Sequence, residues 1–307
     1  MVLEELRDRL NESGYKNWLK AGRCLLILQQ RLHPFINNQM RAFHGDLLNQ
    51  NPLLRRQCGS GTSCSRPRGN KSGALTGLCT VCSEWGKVIL KHHRQPDATV
   101  NWDNCSPPSW RHNHWELAKA YMPRGQVKVK GADKCDASAL LNLMNYCDRF
   151  RSIDTRPVRE VIRCRNELMH SCELSVSDEW MRRFESSLKN LVRQFRHVPE
   201  VGMVEQQIDE MLGVDWSICV SGLDQMDAAD LDVLESDSAS QWETSADSIS
   251  QWEAEVLRER LEELLCDAET QDMEQLTRLG DFLQANRDLA ELFSAELQAI
   301  SSLKARE

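Results

Sequence analysis

The sequence predicts an all-α protein: two helical blocks flanking an irregular Cys/His-containing insert, followed by a C-terminal helical hairpin or short coiled coil. Three observations lead there. Apolar residues recur at three- and four-residue spacing through most of the 307 residues. No stretch alternates polar and apolar side chains strongly enough for a sheet strand. Glycine and proline, which interrupt helical periodicity, gather between positions 50 and 109.

The first helix is expected from Tyr15 to Leu32, where Trp18, Ala21, Leu25, Leu28 and Leu32 make a wide apolar stripe. His33-Pro34 should stop it, because the residue before a proline avoids the helical region. A second short helix is expected over Asn38–Leu48. From Gln50 to Ser109 the pattern fails, apart from one helix over Val81–His92. Helical order resumes at Asn113–Tyr121 and at Asp136–Phe150, with Ala139, Leu140, Leu143, Met144 and Cys147 on the inner face. The next helix starts at Thr155-Arg156-Pro157, since proline is tolerated in a first turn. Another runs from Asp178 to Phe195, with Ser177 as its cap. A short helix over Val204–Leu212 precedes a Ser/Asp/Glu-rich tract, 221–250, that reads as disordered linker. Three apolar faces follow, on Val256–Leu265, Leu276–Leu283 and Leu289–Leu303.

These elements suggest segments at 1–56 and 110–200 forming one helical domain, with 57–109 as its insert. Residues 201–250 would be a short helix and acidic linker, and 251–307 an acidic amphipathic tail. Charge divides the same way. Residues 1–200 hold 32 Lys/Arg against 20 Asp/Glu, a net of +12, and residues 201–307 hold 6 against 26, a net of −20. A basic body suits a polyanion such as RNA, and an acidic tail suits a basic partner. The longest apolar run, Cys24–Leu28, is far short of the roughly 20 residues that span a bilayer. The acidic start Met1-Val2-Leu3-Glu4-Glu5-Leu6 lacks the features of a secretion signal. The expectation is an intracellular protein, cytoplasmic or nuclear, without a membrane partner. Its 12 cysteines then read as thiols or metal ligands.

The segment Arg165-Asn166-Glu167-Leu168-Met169-His170 carries the functional expectation. On a helical wheel, Arg165 falls in the middle of the side lined by Val158, Val161, Ile162, Met169 and Cys172. A guanidinium there needs a carboxylate, a phosphate or an interface. Asn166 and His170, four apart, share the flank. His170 could move a proton near neutral pH, Arg165 could grip a phosphate, and Asn166 could orient either. Together they could cleave RNA without a metal, through attack by the 2′-hydroxyl. The alternative is structural: Arg165 pairs with a buried acid such as Glu116 or Asp136, and His170 merely ends the helix.

Arg-Asn followed by His at this distance, on a late helix of an all-α domain, resembles the HEPN superfamily. Trp115-Glu116-Leu117-Ala118-Lys119, Cys135-Asp136-Ala137-Ser138 and His170-Ser171 add to the likeness. The whole chain also resembles a vertebrate family named for chromosome X open reading frame 38. That likeness is carried by Tyr15-Lys16-Asn17-Trp18, the stretch Ala118–Gly125 and Cys164–Ser171. The HEPN resemblance implies a helical bundle, often dimeric through the motif helix, with Arg165, Asn166 and His170 as candidate catalytic residues of a metal-independent endoribonuclease. It equally implies the inactive members, which serve as RNA-binding or protein-interaction adaptors. In that case the C-terminal helices would hold a protein partner.

Within the insert, Cys79-Thr80-Val81-Cys82 has the two-residue gap of a metal-gripping turn. Cys58 and Cys64 supply two further thiolates, and a set of four cysteines selects zinc in a structural role. His92, His93 and Cys105 are reserves. Cys24, Cys147, Cys164 and Cys172 fall on helix faces and read as small core residues.

Overall fold

The computed structural model describes residues 2–59, 64, 68–69, 75–95, 100–171, 173–199, 201–214, 216, 246–266 and 270–304. Its architecture is all-α. The helices are α1 (Val2–Asn11), α2 (Ser13–Gln50), α3 (Thr80–Lys91), α4 (His114–Ala118), α5 (Ala137–Tyr146), α6 (Thr155–Met169), α7 (Asp178–Val192) and α8 (Val204–Gly213). Four more follow: α9 (Ala246–Cys266), α10 (Thr270–Ala285), α11 (Arg287–Leu292) and α12 (Ser294–Lys304). The described sheet is one antiparallel pair of two-residue strands, β1 (Arg68–Gly69) and β2 (Leu75–Thr76). The linker expected over 221–250 lies outside the described residues as far as position 245, as does Cys172.

One expectation is corrected at Pro34. The sequence suggests two helices separated there, yet α2 runs unbroken for 38 residues through the proline. Proline inside a helix removes one backbone hydrogen bond and crowds the preceding turn, at a cost of about 3 kcal/mol. The apolar stripe continues past it: Leu28, Leu32, Ile36, Met40, Phe43 and Leu47 are all buried. Breaking the helix would expose half of that stripe, so tertiary burial outweighs the local penalty.

The chain divides into two compact units. One combines Met1–Arg23, Leu168–Met181 and Asp209–Glu307. Its core is set by Trp18, which is fully buried and donates from Nε1 to the Leu168 carbonyl at 3.0 Å. Tyr15 stacks on Trp18 and tilts against Phe282. The C-terminal helices therefore do not stand alone as a coiled coil: α11 packs on α1, and α10 packs on α9, α11 and α12. The reason is visible in the buried charges. Arg9 donates to Glu253 at 2.9 Å and to Asp288 at 2.7 Å, and Tyr15 Oη donates to Glu253 at 2.5 Å. Glu253 is wholly buried and so must find partners outside its own helix. Burial would lower the Arg9 pKa, but the bonds to Asp288 and Glu253 win and raise it. Gly22 lets α2 approach α9, since a Cβ there would sit 2.5 Å from Val256 Cγ1.

The other unit combines Cys24–Glu167 and Arg182–Ile208. It holds the rest of α2, the insert, α3 to α5, α6 as far as Glu167, most of α7 and the first half of α8. Its core contains Trp85, Trp110, Trp115, Tyr121, Phe150, Phe184 and Phe195, each almost wholly buried. The helix expected over Asp136–Phe150 ends at Tyr146. There Cys147 turns to extended backbone and bridges His93, before a 3-10 turn over Asp148–Phe150.

Candidate functional site

Two places carry the chemistry that the sequence singles out. The first is α6. Asp154 starts it, accepting from the Arg156 amide at 2.9 Å. Val158, Val161, Cys164 and Leu168 are buried along its inner side. Arg165 lies among them, with 3% of its side chain exposed, and Nη2 donates to Asp136 Oδ2 at 2.9 Å. The other oxygen of the same carboxylate accepts from the Ala139 amide at 2.9 Å and caps α5. One aspartate thus fixes both a helix start and a buried guanidinium. Glu116, the other acid that sequence reasoning offers to Arg165, is engaged elsewhere: it pairs with Lys119 at 2.6 Å and accepts from the Ser106 amide at 2.8 Å.

The other two motif residues are in a different setting. Asn166 and His170 are exposed, and His170 follows the last residue of α6, Met169. Between them, Glu167 pairs with Arg163 and with Arg183 of α7. The trio is therefore split by burial: one member sealed, two in water.

The second place is the start of α3. The sulfurs of Cys58, Cys64, Cys79 and Cys82 all lie within 4.8 Å of one another. Cys58 Sγ and Cys79 Sγ are 3.8 Å apart, and the Cys79 amide donates to Cys64 Sγ at 3.3 Å. Cys79 is the residue before α3, so Cys79 and Cys82 sit at the positive end of a 12-residue helix. All four cysteines are free thiols. Burial alone would push Cys79 upward. Hydrogen bonds to its sulfur from the amides of Cys82 and Gly59, and from the Cys82 and Cys58 thiols, outweigh that and bring it to about 6. At Cys135 and Cys147 burial wins and pushes both up to about 12, although Trp115 and the Arg149 amide each donate a bond that lowers them. The set is compatible with one structural metal ion.

The reserve ligands are used elsewhere. His92 Nδ1 bonds Asp148 at 2.8 Å. His93 Nδ1 lies 2.6 Å from the Gln95 carbonyl, and its ring stacks on Tyr121 and Tyr146. Cys105 Sγ donates to the Asn101 carbonyl. Cys24 and Cys164 are buried core thiols, as their helix positions suggest, and Cys147 is buried just past the end of α5. Among the basic residues of the insert and its approach, Arg55 and Arg56 are exposed, while Arg66 and Lys71 lie outside the described residues. No described helix is long and apolar enough to cross a membrane.

The sequence profile of a domain family described as "Domain of unknown function (DUF4559)" matches residues 9–306. The chain belongs to that family. A mouse (Mus musculus) relative, "Uncharacterized protein CXorf38 homolog", is 39% identical over 311 residues, covering 99% of this chain and 93% of the mouse protein. No solved structure matches the chain. The DUF4559 profile thus takes in the cysteine cluster, α6 and the C-terminal helices alike.

The Arg9–Glu253–Asp288 network escapes sequence reasoning. A signal was present: Glu253 and Arg260 lie on the face shared by Val256, Leu257, Leu261 and Leu264, where both are buried. Charged residues in such a stripe announce distant partners, but not which ones.

Proposed function

We propose that this chain is a non-enzymatic, HEPN-like helical adaptor, in which Arg165 serves structure and the cysteine cluster holds a structural zinc ion. The observation that carries the reading is the buried Arg165–Asp136 pair. Metal-free phosphoryl transfer would need that guanidinium at the phosphate. To reach one it would have to leave both its carboxylate and the apolar side of α6, where 3% of its side chain is exposed. The same departure would leave Asp136 holding only the start of α5.

A competing reading, a metal-independent endoribonuclease, draws on the exposure of Asn166 and His170. A gel assay separates the two. Purified full-length wild type, R165A and H170A are incubated with mixed RNA, with and without chelator. The adaptor reading expects the same uncut ladder from all three. Cleavage by wild type that His170→Ala abolishes would overturn it. As an adaptor the chain is expected to self-associate, giving a dimer mass by light scattering, and to hold a protein partner through its C-terminal helices.

Zinc is the ion that fits the cluster best. Four thiolates at the usual Zn–S length of about 2.3 Å form a tetrahedron with edges of about 3.8 Å. The Cys58–Cys79 separation is 3.8 Å. A complete set of four thiolates leaves no open coordination position, so the ion's part is to pin the insert rather than to activate water.

A further inference from the structure

Residues 123–134, Pro-Arg-Gly-Gln-Val-Lys-Val-Lys-Gly-Ala-Asp-Lys, join the 3-10 turn at Lys119–Tyr121 to the approach to α5. Arg124, Lys128, Lys130 and Lys134 are exposed there. Lys134 is offset by Asp133 at 3.6 Å, whereas Arg124, Lys128 and Lys130 form no ion pair with any described residue. Val127, between the cations, is 60% exposed, more than any other large hydrophobic described.

A solvated loop of this kind would ordinarily be held at its ends alone. This one is held from beneath, by two polar side chains that are each 2% exposed. Asn104 donates to the Pro123 carbonyl at 2.7 Å and the Lys119 carbonyl at 3.1 Å, and accepts from the Gln126 amide at 3.0 Å. Lys119, anchored on Glu116, donates to the Val127 carbonyl at 3.2 Å. Asn101 adds a bond to the Met122 carbonyl at 2.7 Å. The brace extends to the insert: β1 packs against the Trp102–Asn104 turn, which contacts the Gln126–Lys128 turn. Gly125, at φ +91°, makes the bend that sets Arg124 apart from Lys128. Such bracing removes in advance the ordering cost of a flexible basic loop on binding.

We propose that this braced loop is a docking surface for single-stranded nucleic acid, with Arg124, Lys128 and Lys130 on consecutive phosphates and Val127 against a base. Residues 1–200 carry a net +12, a local balance that suits a polyanion at this loop although the whole chain is net −8. The apolar tip favours a single strand, whose bases are open to contact, over a duplex, whose bases are stacked away. The inference goes beyond the adaptor reading and is independent of it, since a protein that binds RNA without cutting it satisfies both.

Fluorescence anisotropy with labelled 12-mer oligo(U) tests the proposal, using the full-length protein over a range of salt. R124E/K128E/K130E is compared with the charge-matched R7E/R151E/R182E, and both are checked for an unchanged melting temperature. The loop triple is expected to lose at least tenfold in affinity at low salt. Its slope of log K against log salt should shrink by about 2, the loss of three phosphate contacts at about 0.7 each. The control triple should keep the wild-type slope. Asn104→Ala should weaken binding while leaving that slope unchanged, because it loosens the brace and removes no cation. Oligo(dT) should bind within a few-fold of oligo(U), since phosphates are common to both. Equal losses in the two triples, no binding by wild type, a tenfold preference for RNA over DNA, or a tighter grip on duplex would each overturn the proposal.

Discussion

Asp136→Asn is the perturbation that separates a structural Arg165 from a free one. The substitution keeps the shape of the side chain and its N-cap, because asparagine caps helices about as well as aspartate. What it removes is the charge facing a guanidinium with 3% of its side chain exposed. Leaving one member of a buried pair uncompensated costs about 3–5 kcal/mol. Asp136 is 25% exposed, so water reaches the pair from one side and the lower end, about 3 kcal/mol, applies. Asp136→Ala also loses the bond from the Ala139 amide and should cost about 1 kcal/mol more. Arg165→Met is the informative contrast. It leaves a partly solvated carboxylate that still caps α5, and it fills the apolar site with a side chain of similar length. Its cost should stay within about 1 kcal/mol. Urea denaturation of the full chain gives the ranking, and Asp136→Asn should lower the melting temperature by about 6–12 °C. Hydrogen exchange in 137–146 and 155–169 locates the loss. Should Arg165→Met prove as damaging as Asp136→Asn, or Asp136→Asn change stability by less than about 0.5 kcal/mol, the structural account of Arg165 would be refuted.

Three further outcomes follow from the same structure. Protein purified without chelator should carry one zinc per chain by elemental analysis; chelation, or Cys79→Ser/Cys82→Ser, should raise hydrogen exchange across 75–95 and leave α9 to α12 unchanged. His44, His93 and His114 are each held below the usual 6.5, burial being the main cause. The unfolded chain therefore binds protons that these sites refuse. Their contribution to stability is complete above about pH 6.5 and is lost as pH falls through their lower folded values, so the melting temperature should drop between pH 7.5 and 5. His44→Gln, which can still donate to the Trp110 carbonyl, should flatten part of that slope. Gly22→Ala places a methyl 2.5 Å from Val256 Cγ1 and should destabilise by about 1–3 kcal/mol, with Val256→Ala in the same chain restoring part of the loss.

The sequence by itself determined what depends on neighbours along the chain. Helical periodicity placed α3 and α8 to within a residue, and the starts of α6 and α7, because an amphipathic stripe and a cap such as Ser177, which accepts from the Trp180 amide, are local facts. The Cys79-Thr80-Val81-Cys82 spacing named one half of the cysteine cluster, and Cys58 and Cys64 were the nearest thiols along the chain to complete it. The anomaly of Arg165 was legible too, since a wheel shows a cation among apolar residues. Only the tertiary structure decided how each anomaly was resolved. Whether Arg165 meets a phosphate or Asp136 depends on a contact spanning 29 positions, which no periodicity encodes. Pro34 could be read only as a stop, because the burial that carries α2 past it comes from elements far away in the chain. Likewise Glu253 and Arg260 announced a need for partners, while the choice of Arg9, at a separation of 244 residues, belonged to the fold. Local geometry is written in adjacent residues; the pairing of buried charges is settled by which distant surfaces close around them.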